Sequence, residues 1–565
     1  MISLPDHLKK YIVEQNYERY TPLDQAVWRH CLQRLKNFLS VHAQASYVDG
    51  LEKTGIDLEQ IPRIENISAK LEKYGWRALP VSGFIPPAAF MELQSLGVLP
   101  IASDMRSLDH LLYTPAPDIV HEAAGHAPII IDSEYSDYLR EYSQVAKKAI
   151  LSHEDLGVYE AIRDLSDIKE SPHASREQIK TAEQGLEDAM AKVSYVSEAT
   201  QLSRMNWWTA EYGLVGSVES PKIFGAGLLS SVGESKWCLS DKVKKIPLTV
   251  DCIHQSYDIT EPQPQLFVTP SFKHLKVVLK QFSKTMAFQV GGSLGLDRAK
   301  RSGTVSSVQL DSGFQISGVL ENYLSNHNQE PIFFKLNGPT QICFSESELP
   351  GHGKNYHVHG YSTPIGAFQI ISRTGELIPN ESCRLEFESG FIVDGKLIEV
   401  KTISNKSSRI LTFANATVTY KEQTYFQPDW GNFDLLTGLK VTSVFGGPAD
   451  RKNYGHTDYF VAKIIPLPEY STEQKRIFLL YTRVRELRSK NNISVQEIEI
   501  VLTESLTHAA NQWLLFFEIL EIVLQRKLAA DLSDKIQKHL VALGIQYSEK
   551  AELIQDALKM LHLNQ

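Results

Sequence analysis

The stretch YTPAPDIVHEAAGHAP, residues 113–128, decides the interpretation of this chain. Pro117 can occupy the first position of a helix, where its missing N–H group costs nothing. Asp118 then favours the helix N-terminus, because that end carries a partial positive charge. Pro128 is expected to end the helix, since a proline in a helix interior removes a backbone hydrogen bond. The stretch therefore predicts a short helix that carries two histidines and an acidic residue.

The two histidines, His121 and His126, flank Glu122 and point to a metal site. The familiar zinc hydrolase motif places its histidines four residues apart on one helix face. Here they are five apart, which on an ideal α-helix leaves the side chains about 140° apart. Joint binding of one ion therefore requires a π-type turn or a bend, which Gly125 would permit. Two unrelated histidines on a surface helix are the alternative.

A third ligand is needed, and Glu211 in MNWWTAEYGL is a candidate. Trp207, Trp208 and Tyr212 surround it with aromatic rings, and an ionised carboxylate is costly to bury unless it is paired or metal-bound. The alternative is a glutamate that faces solvent while the aromatic rings face the core. Two histidines and one carboxylate form the facial triad of non-haem Fe(II) oxygenases, which leaves coordination positions open for reactants.

Composition limits the class of protein. The chain has 565 residues, 42% of them hydrophobic and 22% charged, and its net charge is −9. This balance is that of a globular protein, and it argues against a broad nucleic-acid or anionic-membrane surface. Five cysteines without a CxxC pair exclude a disulfide framework. The first residues do not form a secretory signal, and the most apolar run is too short to span a bilayer. We therefore expect a cytoplasmic protein without nucleic-acid or membrane partners.

The chain divides into parts by local pattern. Apolar residues recur at helical spacing in the first part, and a small-residue, glycine-rich stretch after it indicates a linker. Strand patterns follow, in which Asp394-Gly395 predicts a hairpin turn. Ser471 with Gln474 then offers a helix capping box. We predict a multidomain protein with a mainly α catalytic domain at 1–288, a linker at 289–305, an all-β domain of unknown role at 306–465 and a helical C-terminal region at 466–565.

Further segments in the first part extend the histidine motif. They are RYTPLDQAVWR (19–29), DGLEKTGI (49–56), IPRIENIS (61–68), GFIPPAAFMELQ (83–94), WWTAEYGL (207–214) and KIFGAGLLSSVGE (222–234). Together they resemble the tetrahydropterin-dependent aromatic amino acid hydroxylases, most closely the bacterial members that act on phenylalanine. The resemblance covers residues 15 to about 285. It implies the catalytic domain fold of that family, no regulatory domain before it, and hydroxylation of an aromatic amino acid with O₂, Fe(II) and a tetrahydropterin.

The resemblance also implies roles for individual residues. His121, His126 and Glu211 would bind iron, and Arg106 would bind the carboxylate of the amino acid, with Asp118 orienting it. The remaining implied residues line the amino acid pocket (Thr114, Pro117, Trp207, Gly227 and Ser230) or the pterin site (Gly83, Phe84, Ile85, Phe90 and Glu122), with Phe90 as the stacking ring. Ordinary apolar packing is the alternative for Phe84, Ile85 and Phe90.

Ile259 indicates which amino acid is the substrate. It matches a position that is apolar in phenylalanine hydroxylases and acidic in tyrosine hydroxylases, and an apolar wall penalises a buried phenol hydroxyl. Trp207 stands where tryptophan hydroxylases tend to have phenylalanine. L-phenylalanine is therefore the expected substrate. Hydroxylation of tyrosine or tryptophan, a zinc hydrolase with Glu122 as general base, and an amino-acid-binding sensor are the alternatives.

Two features of the rest of the chain stay open. His357 and His359 alternate and would share a face of a strand, with His352 nearby, so either a second metal site or three plain polar residues would fit. The C-terminal helices could form a homo-oligomer or cover the β domain. Because all family motifs precede residue 290, we also expect that part to fold and react alone.

Overall fold

The computed structural model describes residues 4–83, 85–111, 117–170, 174–259, 261–405, 407–455 and 469–563. The first part is mainly helical. Its α-helices are α1 Pro22–His42, α2 Tyr47–Lys53, α3 Ile64–Leu71, α4 Pro87–Ser95, α5 Ala127–Ile130, α6 Ser133–Ala146, α7 His153–Glu170, α8 Arg176–Ala191, α9 Glu198–Asn206, α10 Ala226–Ser230, α11 Glu234–Trp237 and α12 Phe272–Ser283. Two π-helices, π1 Val120–His126 and π2 Trp207–Glu211, interrupt this set.

Short strands complete the first part. They are β1 Arg77–Val81, β2 Val98–Ala102, β3 Leu214–Gly216, β4 Pro221–Ile223, β5 Lys244–Pro247 and β6 Gln265–Thr269. Strands β1 and β2 pair in parallel, and the other four form a sheet of order β4-β3-β6-β5. The long helix α1 begins at a capping box, in which the Asp24 N–H donates to Thr21 Oγ1 and the Thr21 N–H donates to Asp24 Oδ2. Its buried face, with Trp28 and Leu32, lies in the main hydrophobic core.

The middle part contains two antiparallel sheets. Its strands are β7 Val305–Leu310, β8 Phe314–Ser325, β9 Pro331–Phe344, β10 Ser347–Glu348, β11 Gly360–Pro364, β12 Phe368–Ile371, β13 Ser382–Phe387, β14 Ile392–Thr402, β15 Arg409–Tyr420, β16 Gln423–Phe426, β17 Phe433–Leu436 and β18 Val441–Gly446. The first sheet has the order β10-β9-β8-β7-β18, with β11 also paired to β9. The second has the order β12-β13-β14-β15-β16, with β17 also paired to β15.

Two local predictions for this part differ from the structure. Asp394-Gly395 is not a hairpin turn, because both residues lie inside strand β14, where the register with β15 shifts after Asp394. A Gly in a strand often marks such a bulge or a close backbone approach, and Cβ at Gly395 would lie 3.0 Å from Ala416 Cα. The glycine-rich stretch expected to be a linker forms the helices α13 Ala287–Val290 and α14 Gly292–Ser302.

Helix α14 joins the first part to the sheets. Its Leu296 and Ala299 are buried in the core of the first sheet. Arg298 pairs with Glu198 of α9, and Glu198 also accepts a hydrogen bond from the Ala287 N–H at 2.6 Å. The apolar spacing of this helix therefore outweighs its glycine content, and the sheets are docked on the first part.

The C-terminal region forms helices, as predicted. After α15 Arg451–Tyr454 they are α16 Thr472–Ser489, α17 Val495–His508, α18 Trp513–Gln525, α19 Ala530–Gln546 and α20 Ala551–Leu563. The capping box of Ser471 with Gln474 is confirmed. The predicted boundary between residues 465 and 466 lies outside the described residues. Among the described helices, none is both long enough and apolar enough to cross a lipid bilayer.

These five helices cover α1 and not the β-sheets. The buried residues of α16–α20 belong to the main core with those of α1. Arg29 of α1 contacts Glu521 of α18 at 2.6 Å, and Arg34 of α1 contacts Asp556 of α20 at 2.9 Å. Of the two alternatives for these helices, a cover over the β domain is not what the described residues show, since their buried apolar residues pack in one core with those of α1. Formation of a homo-oligomer stays a prediction.

Candidate metal centre

The helix around the histidine motif has π geometry, as its spacing requires. Helix π1 spans Val120–His126, and the rings of His121 and His126 lie 5.0 Å apart between centroids. Hydrogen bonds in a π-helix join residues five apart, so the two histidines face the same side. The helix then continues as α5 through Pro128, which stands in the first turn of that segment and does not end the helix. The predicted π-type turn is confirmed, and the predicted end is wrong.

Gly125 matters for packing. A Cβ at this position would lie 2.6 Å from the carbonyl oxygen of Ala226, at the start of α10. Real Cβ atoms do not approach so closely, so only glycine lets α10 lie directly against π1. This close approach brings α10 to the histidine motif.

Glu211, at the end of the second π-helix, completes the group. Its Oε2 lies 3.4 Å from Nε2 of His121, and its Oε1 lies 3.4 Å from Nε2 of His126. Burial alone would raise the pKa of Glu211, but His126 and His121 lower it below its usual value. Neighbouring ligand atoms around one transition-metal ion are about 3 Å apart when metal–ligand bonds are ~2.0–2.2 Å. The three side chains thus fit a single ion.

Ser230 of α10 orients the first histidine. Nδ1 of His121 lies 3.0 Å from Ser230 Oγ, whose own hydroxyl donates to the Ala226 carbonyl at 2.7 Å. Since that hydroxyl proton is already used, Ser230 accepts from His121, and the imidazole carries its proton on Nδ1. The other nitrogen, Nε2, is then free to bind a metal ion. Sequence analysis had placed Ser230 only in the amino acid pocket.

Ser230→Ala is expected to weaken metal binding ~10–100-fold, because histidine ligands depend on the partner of their second nitrogen. Fe(II) or Co(II) titration of the metal-free protein measures this affinity. Ser235→Ala is the matched control, since Ser235 is equally buried and, among the described residues, its hydroxyl donates to the Val232 carbonyl at 3.4 Å and not to a histidine. Equal affinities of the two variants would contradict the proposed role of Ser230.

Glu122 is the second acidic group beside the histidines. It is buried, its Oε2 has no hydrogen-bond partner among the described residues, and that atom lies 4.0 Å from Nε2 of His126. Burial raises the pKa of Glu122 to about 8, and Glu211 adds to the effect. A buried polar atom without a partner is costly, so this oxygen is suited to a bound ion or ligand.

Arg106 and Asp118 form a buried pair. Arg106 Nε donates to Asp118 Oδ2 at 2.7 Å and Nη2 donates to Oδ1 at 2.8 Å, while Nη1 donates to the Ser230 carbonyl at 3.2 Å. These bonds leave one N–H group on Nη1 and one on Nη2 for a ligand. Asp118 also accepts from the His121 N–H at 3.0 Å, so it links Arg106 to π1.

Trp207 lies in a stack of three aromatic rings. Its ring is 4.2 Å from that of Tyr257 and nearly parallel to it, and 4.5 Å from that of Tyr212 on the other face. Gly227 permits this arrangement, because a Cβ there would lie 2.9 Å from the Tyr212 ring. Tyr257 is not predictable from the sequence, since no local pattern connects it to Trp207, which lies 50 positions earlier.

Two of the residues predicted for pterin binding, Ile85 and Phe90, flank in sequence the segment 86–89, which lines a large cavity. Ile85 is buried in a small apolar core, and Phe90 packs at the edge of it, so packing accounts for Ile85. Gly83 has φ +54°, a backbone conformation that favours glycine. The neighbouring cavity of about 600 Å³ is lined by residues 86–89, by Asn206, and by Gly446 to Pro448 after the first β-sheet. Asn206 also donates to Glu211 Oε1 at 3.4 Å, which connects the cavity wall to the metal centre.

The structure says less about the roles of the other predicted residues. Pro117 is half-buried beside Asp118, and Ile259 is half-buried in the loop that follows Tyr257. Thr114 and Phe84 lie outside the described residues. The described contacts do not connect Ile259 to the metal ligands.

Comparison with known proteins identifies relatives of the first part. Residues 10–155 and 183–291 match a family described as biopterin-dependent aromatic amino acid hydroxylase. A curated relative from Mesorhizobium japonicum, named phenylalanine-4-hydroxylase, is 30% identical over 270 residues, which cover 47% of this chain and 82% of the relative. A relative of the same name from Chromobacterium violaceum is 27% identical over 278 residues, covering 48% and 78%.

A crystal structure of the C. violaceum enzyme with bound oxidised Fe(III) is 24% identical, covers 49% of this chain and 89% of its own, and has a TM-score of 0.38. The unmatched interval 156–182 falls in the helical hairpin of α7 and α8. The matches therefore concern the part that carries the metal centre.

Proposed function

Because this chain belongs to the biopterin-dependent aromatic amino acid hydroxylases and is an aromatic amino acid monooxygenase, we propose that it converts L-phenylalanine to L-tyrosine with O₂, Fe(II) and a tetrahydropterin. The observation that carries this proposal is the meeting of His121, His126 and Glu211, with 3.4 Å from each histidine Nε2 to the carboxylate. This set is the facial triad of non-haem iron oxygenases, which keeps positions open for reactants.

The metal and the pterin supply the oxygen chemistry when they are bound. A bound tetrahydropterin would supply the two electrons that reduce the oxygen atom of O₂ not transferred to the substrate ring. His121, His126 and Glu211 hold the metal, and Ser230 keeps Nε2 of His121 turned toward it. The unpartnered Oε2 of Glu122 offers the pterin a polar contact at the edge of the centre.

Two groups hold the amino acid in this proposal. The N–H groups left on Nη1 and Nη2 of Arg106 bind its carboxylate, while Asp118 keeps the guanidinium plane fixed. Trp207, stacked between Tyr212 and Tyr257, gives the substrate ring a rigid aromatic wall.

The pterin site includes the cavity beside residues 86–89. A volume of about 600 Å³ is within the range of small-molecule sites. Gly446 to Pro448 of the middle part line the same cavity. The middle part therefore contributes to co-substrate binding in this proposal, which is a role that the family motifs do not assign.

Substrate choice is tested by competition among phenylalanine, tyrosine and tryptophan, with product analysis and Fe(II), tetrahydropterin and O₂ supplied. Phenylalanine is expected to be preferred over tyrosine by up to ~10²-fold in kcat/KM, because an apolar wall rejects a hydroxyl only moderately. Ile259→Asp should lower that ratio, and the control Ile259→Val should keep it. A preference for tyrosine or tryptophan would overturn the substrate, and no hydroxylation of any of the three would overturn the activity.

Arg106→Lys is expected to raise the KM for the amino acid ~10–100-fold, because a lysine loses the planar fork that pairs with a carboxylate. The KM for the pterin should change far less, since in this proposal Arg106 binds the amino acid and not the pterin. Steady-state kinetics with each substrate varied in turn measures both constants. If both KM values rise equally, Arg106 stabilises the fold and does not bind the amino acid. A thermal unfolding curve of the variant would then show a loss of stability.

A further inference from the structure

A second group of metal-binding side chains lies in the middle part, far from the first centre in sequence. His352 and His357 lie in the loop between β10 and β11, and Asp434 lies on β17. Nδ1 of His352 is 3.3 Å from Nε2 of His357 and 3.9 Å from Oδ2 of Asp434. One ligand atom from each side chain lies within 4.8 Å of the others, and all three residues are buried.

The fold fixes the two histidines from one sheet. The Ile342 N–H donates to the His352 carbonyl at 2.9 Å, and the Thr340 N–H donates to the His357 carbonyl at 3.0 Å. Both donors belong to β9 of the first sheet, so the loop backbone is fastened at each histidine. The two imidazoles are thereby held facing each other.

Asp434 comes from the second sheet and is held just as firmly. Its Oδ1 accepts a hydrogen bond from Thr412 of β15 at 2.7 Å, and its backbone carbonyl accepts from the Tyr361 hydroxyl at 2.8 Å. Only 4% of Asp434 is exposed. No hydrogen bond of normal geometry reaches its Oδ2 among the described residues. Burial raises the pKa of this carboxyl group, although Thr412, His352 and the Tyr356 hydroxyl each act to lower it.

A buried carboxylate oxygen without a hydrogen bond requires an explanation, and a bound cation is one of the few available. Burial lowers the pKa values of both histidines, that of His357 to about 3, so both rings are neutral near pH 7. Neutral imidazole is the form that binds metal ions. In a tetrahedral zinc site with bonds of ~2.0–2.1 Å, ligand atoms are about 3.3–3.4 Å apart. The separation of the two histidine nitrogens, 3.3 Å, has this value, whereas Asp434 Oδ2 lies 3.9 Å from His352 Nδ1 and has to move toward the histidines to bind the same ion.

We propose that His352, His357 and Asp434 bind a second divalent transition-metal ion of the zinc class, which joins the two β-sheets. Two imidazoles select such an ion over Ca²⁺ or Mg²⁺, which take mainly oxygen ligands. Three protein ligands leave a fourth position for a solvent molecule. The exposed side chain of Tyr356, whose ring packs edge-on against His352, borders that position.

The test counts metal ions on the full chain after removal of metal with a chelator and dialysis against Zn(II). The wild type is expected to bind about two zinc ions, one in each His₂–carboxylate site. His126→Ala removes the first site, and His357→Ala and Asp434→Asn each remove the second, so each should retain about one. Tetrahedral Co(II) absorption should persist in His126→Ala and disappear when His357→Ala is added.

The matched control is His359→Ala, because His359 is an exposed histidine two residues from His357. This variant should keep the stoichiometry of the wild type. Thr412→Val, which removes the hydrogen bond to Asp434, should weaken the second site ~10–100-fold. Asp434→Asn keeps the size of the side chain, so it gives the same measurement if His357→Ala does not fold.

Two results would overturn the proposal. One is a wild type that binds a single zinc ion, which His126→Ala abolishes. The other is a second zinc ion that stays bound with unchanged affinity in both Asp434→Asn and His357→Ala. In either case His352 and His357 form only a hydrogen bond that supports the loop. Neither result bears on hydroxylation, because the first site is counted separately.

Discussion

The variant His126→Ala is expected to lose tight iron binding and at least ~100-fold of its turnover while it stays folded. Loss of a group that merely orients a ligand costs ~10–100-fold, so loss of a ligand should cost at least as much. His126 Nε2 is the nitrogen that lies 3.4 Å from Glu211 Oε1 and 4.0 Å from Glu122 Oε2. Removing it also takes away the imidazole that lies beside both of these buried carboxyl groups.

Iron content after anaerobic reconstitution and turnover with phenylalanine and tetrahydropterin measure this effect. Circular dichroism checks the fold, so that a loss of structure is not mistaken for a loss of ligand. The control is His254→Ala, which removes an exposed histidine from the same part of the chain. Turnover near that of the wild type in His126→Ala, with iron retained, would contradict the assignment of the ligands.

The variant Trp513→Ala is expected to lower the free energy of unfolding by ~3–5 kcal/mol, which is the cost of emptying a large aromatic site in a core. Trp513 begins α18, and its ring packs edge-on against His30 of α1, with 5.4 Å between centroids. Phe517, one turn further along α18, contacts the same histidine at 5.0 Å. The side chain of Trp513 is 1% exposed.

Charged groups add to this interface. Arg29 of α1 and Arg488 of α16 both contact Glu521 of α18, at 2.6 and 2.5 Å, and Glu518 is buried beside them. Removal of Glu521 takes this ion pair away from both arginines, and loss of one partner of a buried ion pair is strongly destabilising. The C-terminal helices are therefore part of the core that supports the metal centre, through α1.

Urea denaturation of the full chain measures the effect of Trp513→Ala. Trp430→Ala is the matched control, because the same substitution at a residue that is 59% exposed should cost less than ~1 kcal/mol. For the same reason, a chain cut near residue 290 should be unstable or insoluble, contrary to the expectation from motif positions alone. A soluble, active 1–290 fragment, or equal effects of the two tryptophan substitutions, would show that the interface is dispensable.

The spacing of residues in the sequence is sufficient to predict much of the metal centre. The distance of five residues between His121 and His126 requires π geometry if both bind one ion, and the helix has that geometry. The capping box at Ser471 is also predicted from the sequence and confirmed, because a cap depends on residues three apart. The choice of Glu211 rested on its aromatic neighbours and on the family resemblance, and its geometry agrees.

Predictions failed where packing outweighs a local signal. Asp394-Gly395 has the composition of a hairpin turn, yet the pairing of β14 with β13 and β15 holds it inside a strand. The glycine-rich stretch 291–303 looked like a linker, yet Leu296 and Ala299 give it an apolar face that the first sheet buries. In both cases long-range contacts supply more free energy than the intrinsic preference of one or two residues.

Short-range pattern in this chain thus specifies ligand identity, helix type and caps, because these depend on residues within one or two turns of each other. It does not specify the contacts that complete the sites. Ser230 meets His121 across 109 residues, and Glu521 meets Arg29 across 492. Asp434 reaches His352 only because two sheets pack together. Such contacts arise when apolar faces are buried against each other, and no local rule of spacing records which faces will meet.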